Sequence, residues 1–105
     1  MILTFEDGSI GSIHYYSNGG KSFPKERIEI FCDDGVLQLD NFRKLTGFGW
    51  KGFRKMNLWS QDKGQENCVH AFMESIRDGK RNPIPQDEIF EVARVSVDIA
   101  EMLRK

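Results

Sequence analysis

Hydrophobic and polar positions alternate with a period of two over the first half of the chain and near 3.6 over the second. Residues 2–5 (Ile2, Leu3, Thr4, Phe5) precede Glu6-Asp7-Gly8-Ser9 and a second alternating run at 10–16. Asp-Gly between two such runs predicts a hairpin. In the second run Ile10, Ser12, His14 and Tyr16 share one face, and Gly11, Ile13 and Tyr15 the other. Ser17-Asn18-Gly19-Gly20 breaks the pattern as a loop, and Phe23-Pro24 restarts an extended path. Over 27–32, Ile28, Ile30 and Cys32 alternate with Arg27, Glu29 and Phe31. Asp33-Asp34-Gly35 predicts a tight turn into a strand at 36–40. Two further short strands are expected around 43–48 and 53–59, joined through Gly49-Trp50-Lys51-Gly52.

Beyond residue 64 the period changes. Val69, Phe72, Met73 and Ile76 form one stripe of a helix over 65–78, with Arg77 in its last turn and Gly79 as its stop. Asn82-Pro83-Ile84-Pro85 reads as a rigid connector. A second helix follows, with Asp87 and Glu88 in the first turn, where the helix dipole favours acids. Its apolar face is Ile89, Val92, Ala93, Ser96, Ile99, Ala100 and Leu103. Its outer face pairs Arg94 with Asp98 and Glu101 with Lys105. Strands followed by helices predict an α+β domain spanning residues 1–105. We expect an open-faced, mostly antiparallel sheet of about six strands, with the two C-terminal helices packed on one face. Such a sheet leaves its other face to water, a partner or a ligand.

Composition narrows the function. With 105 residues and 39% hydrophobic content, one ordered domain with a core is expected. A formal net charge of −1 removes any general electrostatic case for nucleic acid or acidic membranes. No apolar run approaches the ~20 residues of a transmembrane helix. The N-terminus meets Glu6 and Asp7 without a basic region, which is not a signal peptide. Cys32 and Cys68 have no C-x-x-C spacing and read as two buried thiols in a reducing, cytoplasmic setting. Glycine spacing nowhere matches G-x-G-x-x-G, and Walker A, G-x-S-x-G and H-E-x-x-H sequences are absent. We therefore expect no catalytic, cofactor-binding or metal residues in this chain.

Several clusters carry polar chemistry. His14 and Tyr16 on one strand face, with Lys21 nearby, could hydrogen-bond a hydroxylated or carboxylated ligand. The same residues also suit the exposed end of a strand. Lys21, Lys25 and Arg27 flank Pro24 and could meet an anionic substrate or partner domain, or simply form a solvated connector. His70 has no second ligand at helical spacing, which argues against a metal. Residues 42–59 interleave Arg43, Lys44, Lys51, Arg54 and Lys55 with Phe42, Phe48, Trp50, Phe53 and Trp59. Charge plus aromatic faces is what single-stranded nucleic acid requires, so a small polyanion-binding module is the alternative reading. The overall acid–base balance argues against it.

The order of segments is similar to one known family. Leu3 to Ile13 resembles the L-x-F-x-[DN]-G-[SA]-x-G-x-I strand pair in the C-terminal domain of the Gfo/Idh/MocA oxidoreductases. Phe23-Pro24-Lys25-Glu26-Arg27-Ile28-Glu29-Ile30-Phe31 resembles that domain's next strand, and Gly35-Val36-Leu37-Gln38-Leu39-Asp40 its G-x-L-x-L-D strand. Asp62-Lys63-Gly64 before the Val69/Phe72/Ile76 helix resembles the start of its late helix, and Pro83-Ile84-Pro85 with the last helix its close. The resemblance implies an open-faced sheet that lines a substrate cavity or serves subunit association. It further implies a parent protein whose N-terminal Rossmann domain binds NAD or NADP and transfers hydride to or from sugars, sugar nucleotides or polyols. The partners implied are that Rossmann domain and a second subunit, meeting the open sheet face. The family's Gly-rich turn, its E-K-P lysine and its Asp/His pair have no counterpart among these residues. Gln65 stands where the family often has His after D-K-G, so no role passes to it. His14, Tyr16, Lys21, Lys25 and Arg27 remain as candidate substrate or partner contacts, on face alternation and loop chemistry alone.

Overall fold

A computed structural model describes residues 1–104 of the chain. It shows an α+β protein with six strands followed by two helices: β1 (Ile2–Thr4), β2 (Ile10–Ser12), β3 (Arg27–Cys32), β4 (Gly35–Asp40), β5 (Lys44–Phe48), β6 (Lys55–Asn57), α1 (Gln65–Arg77) and α2 (Gln86–Met102). One compact unit is Met1–Gln61, and the other begins at Asp62.

All strand pairs are antiparallel, as expected, but the strands form two sheets: β1-β2, and β3-β4-β5-β6 in chain order. The Ser/Asn/Gly-rich loop and Pro24 between β2 and β3 separate them. In the hairpin Asp7 Oδ1 accepts from Ser9 N–H at 2.9 Å and Phe5 N–H donates to Ser9 O at 2.9 Å, closing the Asp-Gly turn. β2 ends at Ser12, short of the expected Tyr16. Its partner β1 offers three residues and one further rung at Met1–Ile13, so residues 14–16 have no strand opposite them.

In the four-stranded sheet the register places Ile28, Ile30, Leu37, Leu39, Leu45 and Met56 on one face. The other face is mostly polar, with an apolar rung of Phe31, Val36 and Phe48 near the β3–β4 turn. That turn is a two-residue loop, Asp33 and Asp34, both at positive φ (48° and 59°). Such loops need this conformation, and Asp tolerates it better than most residues. The β4–β5 turn repeats the geometry at Asn41 and Phe42, each at φ 50°. For Phe42, which gains nothing from the left-handed region, this costs about 1–2 kcal/mol.

Two strand glycines serve as seats for aromatic rings. A Cβ at Gly35 would stand 2.6 Å from Trp50 Nε1, and one at Gly47 would stand 2.7 Å from Phe53 Cδ1. Phe53 thus leaves the strand path, and β6 starts at Lys55 rather than at residue 53.

In the second unit Gly64, at φ 78°, turns the chain into α1, with its N–H donating to Asp62 Oδ1 at 2.8 Å. Gly79 (φ 61°) ends α1 as expected. The Lys80 N–H returns to Ser75 O at 2.9 Å, and Asp78 N–H to Glu74 O at 2.9 Å. Pro85 caps α2, and Asp87 and Glu88 occupy its first turn. The expected Arg94–Asp98 pair is present at 2.9 Å, and Arg94 also grips Glu91 at 2.7 Å. The expected Glu101–Lys105 pair includes Lys105, which lies outside the described residues.

The amphipathic faces form, but the expected core does not. No hydrophobic side chain is buried among the described residues, and the α1 stripe of Val69, Phe72, Met73 and Ile76 is at least half exposed. The accessible surface is 10060 Å². Size scaling gives about 6,000 Å² for a compact monomer of this length, and about 7,000 Å² for two separately folded units. The two cysteines are free, as expected, yet both are exposed rather than buried: Cys32 lies on the outermost strand and Cys68 off the α1 stripe. No described helix is long and apolar enough to cross a membrane.

Candidate functional site

The strand face that alternation gave to His14 and Tyr16 persists beyond the end of β2. Their rings stack nearly parallel, 9° apart in plane, with centroids 6.2 Å apart. Both are exposed, as are Lys21 and Lys25. Lys21 sits in a turn closed by Phe23 N–H to Gly20 O at 3.0 Å. Neither lysine makes a hydrogen bond or ion pair with a described residue.

Arg27 behaves differently. It lies on β3 directly opposite Asp40 and donates from Nε to Asp40 Oδ1 at 3.1 Å, with Glu29 Oε1 at 3.9 Å. With the Gln38 amide turned to satisfy both partners, its oxygen accepts from the same Nε at 2.9 Å. Two acceptors, Asp40 and Gln38, and the charge of Glu29 on the polar sheet face therefore hold the guanidinium in place. His14 and Tyr16 come together, and Arg27 is bound into the sheet.

The register extends this into a row that alternation within single strands does not reveal. Arg27 opposes Asp40, Asp40 opposes Lys44, and Lys44 opposes Asn57, giving one polar rung across all four strands. At that end of the sheet lies a hollow of about 380 Å³, lined by Pro24, Asp40, Asn41, Arg43, Lys44, Asn57 and Leu58. Its rim is tied down: Arg43 Nε donates to Leu58 O at 3.0 Å, and Leu58 N–H donates to Arg43 O at 2.9 Å. Gln61 Nε2 donates to both Asn41 O and Asn41 Oδ1, at 3.1 and 3.0 Å. Spacing along the chain groups Arg43 and Lys44 with the aromatic residues of 42–59. The pairing register sets Lys44 between Asp40 and Asn57.

The aromatic residues of that segment have separate employment. Trp50 and Phe53 lie on Gly35 and Gly47, while Trp59 is 99% exposed. The Trp50 Nε1–H is buried without a hydrogen-bond partner. His70 contacts Glu74 at 3.6 Å across one helical turn, an ordinary helix-surface pair.

Perturbed carboxylates lie outside these clusters. Asp7 is held below its ordinary pKa by hydrogen bonds from Ser9, chiefly its backbone N–H. Asp78 is lowered by hydrogen bonds from Lys80 and Arg77, and Glu91 by its hydrogen bond and charge attraction to Arg94.

The element order contains no β-α-β unit. The positive-φ glycines lie in turns and at helix ends. The chain thus defines an α+β protein with a sheet face that is apolar and half-buried to exposed, and a polar rung on the opposite face. Comparison with family models, curated proteins and solved structures finds no match.

Proposed function

We propose that this chain is the C-terminal substrate-side and association domain of a two-domain NAD(P)-dependent oxidoreductase of the Gfo/Idh/MocA type. The parent acts on a sugar, sugar nucleotide or polyol, and the 105-residue chain alone is not catalytic. The observation that carries this reading is the accessible surface, which exceeds the expectation for self-sufficient units by roughly 3,000 Å². Many large hydrophobic side chains are among those exposed, and apolar surface left open in this way is characteristic of a protein interface. A Rossmann domain of the same parent and a second subunit at the open sheet face would cover it. The order of the motifs adds support: the Leu3–Ile13 pattern coincides with the β1-β2 hairpin, Gly35-Val36-Leu37-Gln38-Leu39-Asp40 with β4, and Asp62-Lys63-Gly64 with the start of α1. Two unpaired thiols suit a cytoplasmic protein. NAD or NADP belongs to the parent, and no step is assigned here to residues of this chain. His14, Tyr16, Lys21, Lys25 and Arg27 are its candidate substrate or partner contacts.

The source DNA upstream of the Met1 codon tests this reading. An open frame encoding a G-x-G-x-x-G β-α-β unit and an E-K-P motif is the expected result. An in-frame stop codon directly upstream would overturn it. Oxidation or reduction of NAD(P) by the purified chain with a panel of sugars and polyols would overturn the non-catalytic part.

A further inference from the structure

The polar rung ends in an imbalance. Among the described residues Asp40 is the only acid lining the hollow, and its Oδ1 is already engaged by Arg27 from the neighbouring strand. Lys44, facing Asp40 from the other side, has no hydrogen bond or ion pair with a described residue. Arg43 commits only its Nε, to Leu58 O, so its two terminal nitrogens have no described partner. Two residues with uncommitted positive charge therefore line one largely apolar recess, whose lining acid is shared with a third cation, Arg27. A paired surface lysine gains little from its partner, but converging cations beside a concave wall raise the local concentration of anions.

The rest of the recess is shaped for a small molecule rather than a bare ion. Its volume of about 380 Å³ lies at the small end of the ~300–1,000 Å³ typical of ligand sites. Pro24 and Leu58 offer apolar walls, while Asn41 and Asn57 bring carboxamides that can serve hydroxyl groups. The rim hydrogen bonds of Arg43, Leu58, Asn41 and Gln61 fix the site before any ligand arrives. Fixing it beforehand reduces the ordering cost of binding.

We propose that this recess binds a small hydroxylated molecule through its oxyanion, a phosphate or a carboxylate. Arg43 and Lys44 contact the oxyanion, and Asn41 and Asn57 the hydroxyls. The site lies wholly within the first unit and stands apart from the two-domain oxidoreductase reading.

Amide and side-chain NMR of the full chain, titrated with glycerol 3-phosphate, glycerate and glycerol, provides the test. Saturable shifts at Asn41, Arg43, Lys44 and Asn57 with the two anions, and none with glycerol, are expected. A response to only one anion assigns phosphate or carboxylate as the oxyanion. Lys44→Gln, which disturbs no described side-chain bond, should weaken binding about tenfold while leaving the rest of the spectrum unchanged, the effect of losing ~1.4 kcal/mol. Arg43→Gln should do the same or more. Absence of saturable shifts, an equal response to glycerol, or undiminished binding in Lys44→Gln overturns the proposal.

Discussion

The indole of Trp50 lies on Gly35, so close that a Cβ at residue 35 would stand 2.6 Å from Nε1. Gly35 is buried, and the first residue of β4 must therefore lack a side chain. Gly35→Ala should destabilise the first unit by about 1–3 kcal/mol, the usual cost of overpacking. Urea unfolding followed by Trp fluorescence measures it. Gly47→Ala should cost a similar amount through Phe53, with partial recovery in Gly47→Ala/Phe53→Leu. Equal stability of Gly35→Ala and the parent chain would mean the indole does not rest there.

The Asp33-Asp34 loop places two like charges in a conformation that Asn-Gly adopts with less strain. Asp33→Asn/Asp34→Gly should raise stability by about 0.5–1 kcal/mol. A lower urea midpoint would argue against the two-residue loop.

Gly79 closes α1 at φ 61°, a region costly for any residue with a Cβ. Gly79→Ala should lower helix stability by about 1 kcal/mol, whereas Gly79→Asn should lose less. Hydrogen exchange of the Asp78 and Lys80 amides reads the effect directly, because their bonds to Glu74 O and Ser75 O depend on this cap.

Asp7, Asp78 and Glu91 have lowered pKa values in the folded state. Each therefore favours the folded state above the unfolded carboxyl pKa, and that contribution fades as pH falls through the lowered folded value. Stability should decline on acidification below about pH 4–5. A carboxyl NMR titration in low and high salt separates the causes. The Glu91 lowering, tied to Arg94, should shrink with salt, and the Asp7 lowering, led by the Ser9 N–H, should persist.

Trp59 is almost fully exposed, whereas Trp50 is packed on Gly35. A single-stranded oligonucleotide should leave the Trp fluorescence unchanged. Quenching that weakens steeply with salt would instead support the polyanion-binding reading of residues 42–59.

Local chemistry made much of this fold legible. The Asp-Gly turn, the alternation over 27–32, the Gly79 stop and the Val69/Phe72/Ile76 stripe each follow from one or two neighbours along the chain. What eluded the sequence was relational. Alternation shows that Asp40 and Gln38 share a face, but it does not show that Lys44 and Asn57 complete a rung across two more strands. Periodicity marked the apolar stripe of α1 as a core face, yet a stripe carries no information about what covers it. Phe53 looked like a strand residue until the missing Cβ of Gly47 gave its ring somewhere to lie.

The two outer borders of the four-stranded sheet differ in kind. β6 is three residues long and carries Lys55, a short and charged border. β3 is six residues long, exposed throughout, and free of lysine and proline. Hydrogen-bonding groups along a border like that invite another strand. Any lengthening of this sheet, by a neighbouring segment or by self-association at high concentration, would therefore proceed from β3, giving the sheet a growing side and a finished one.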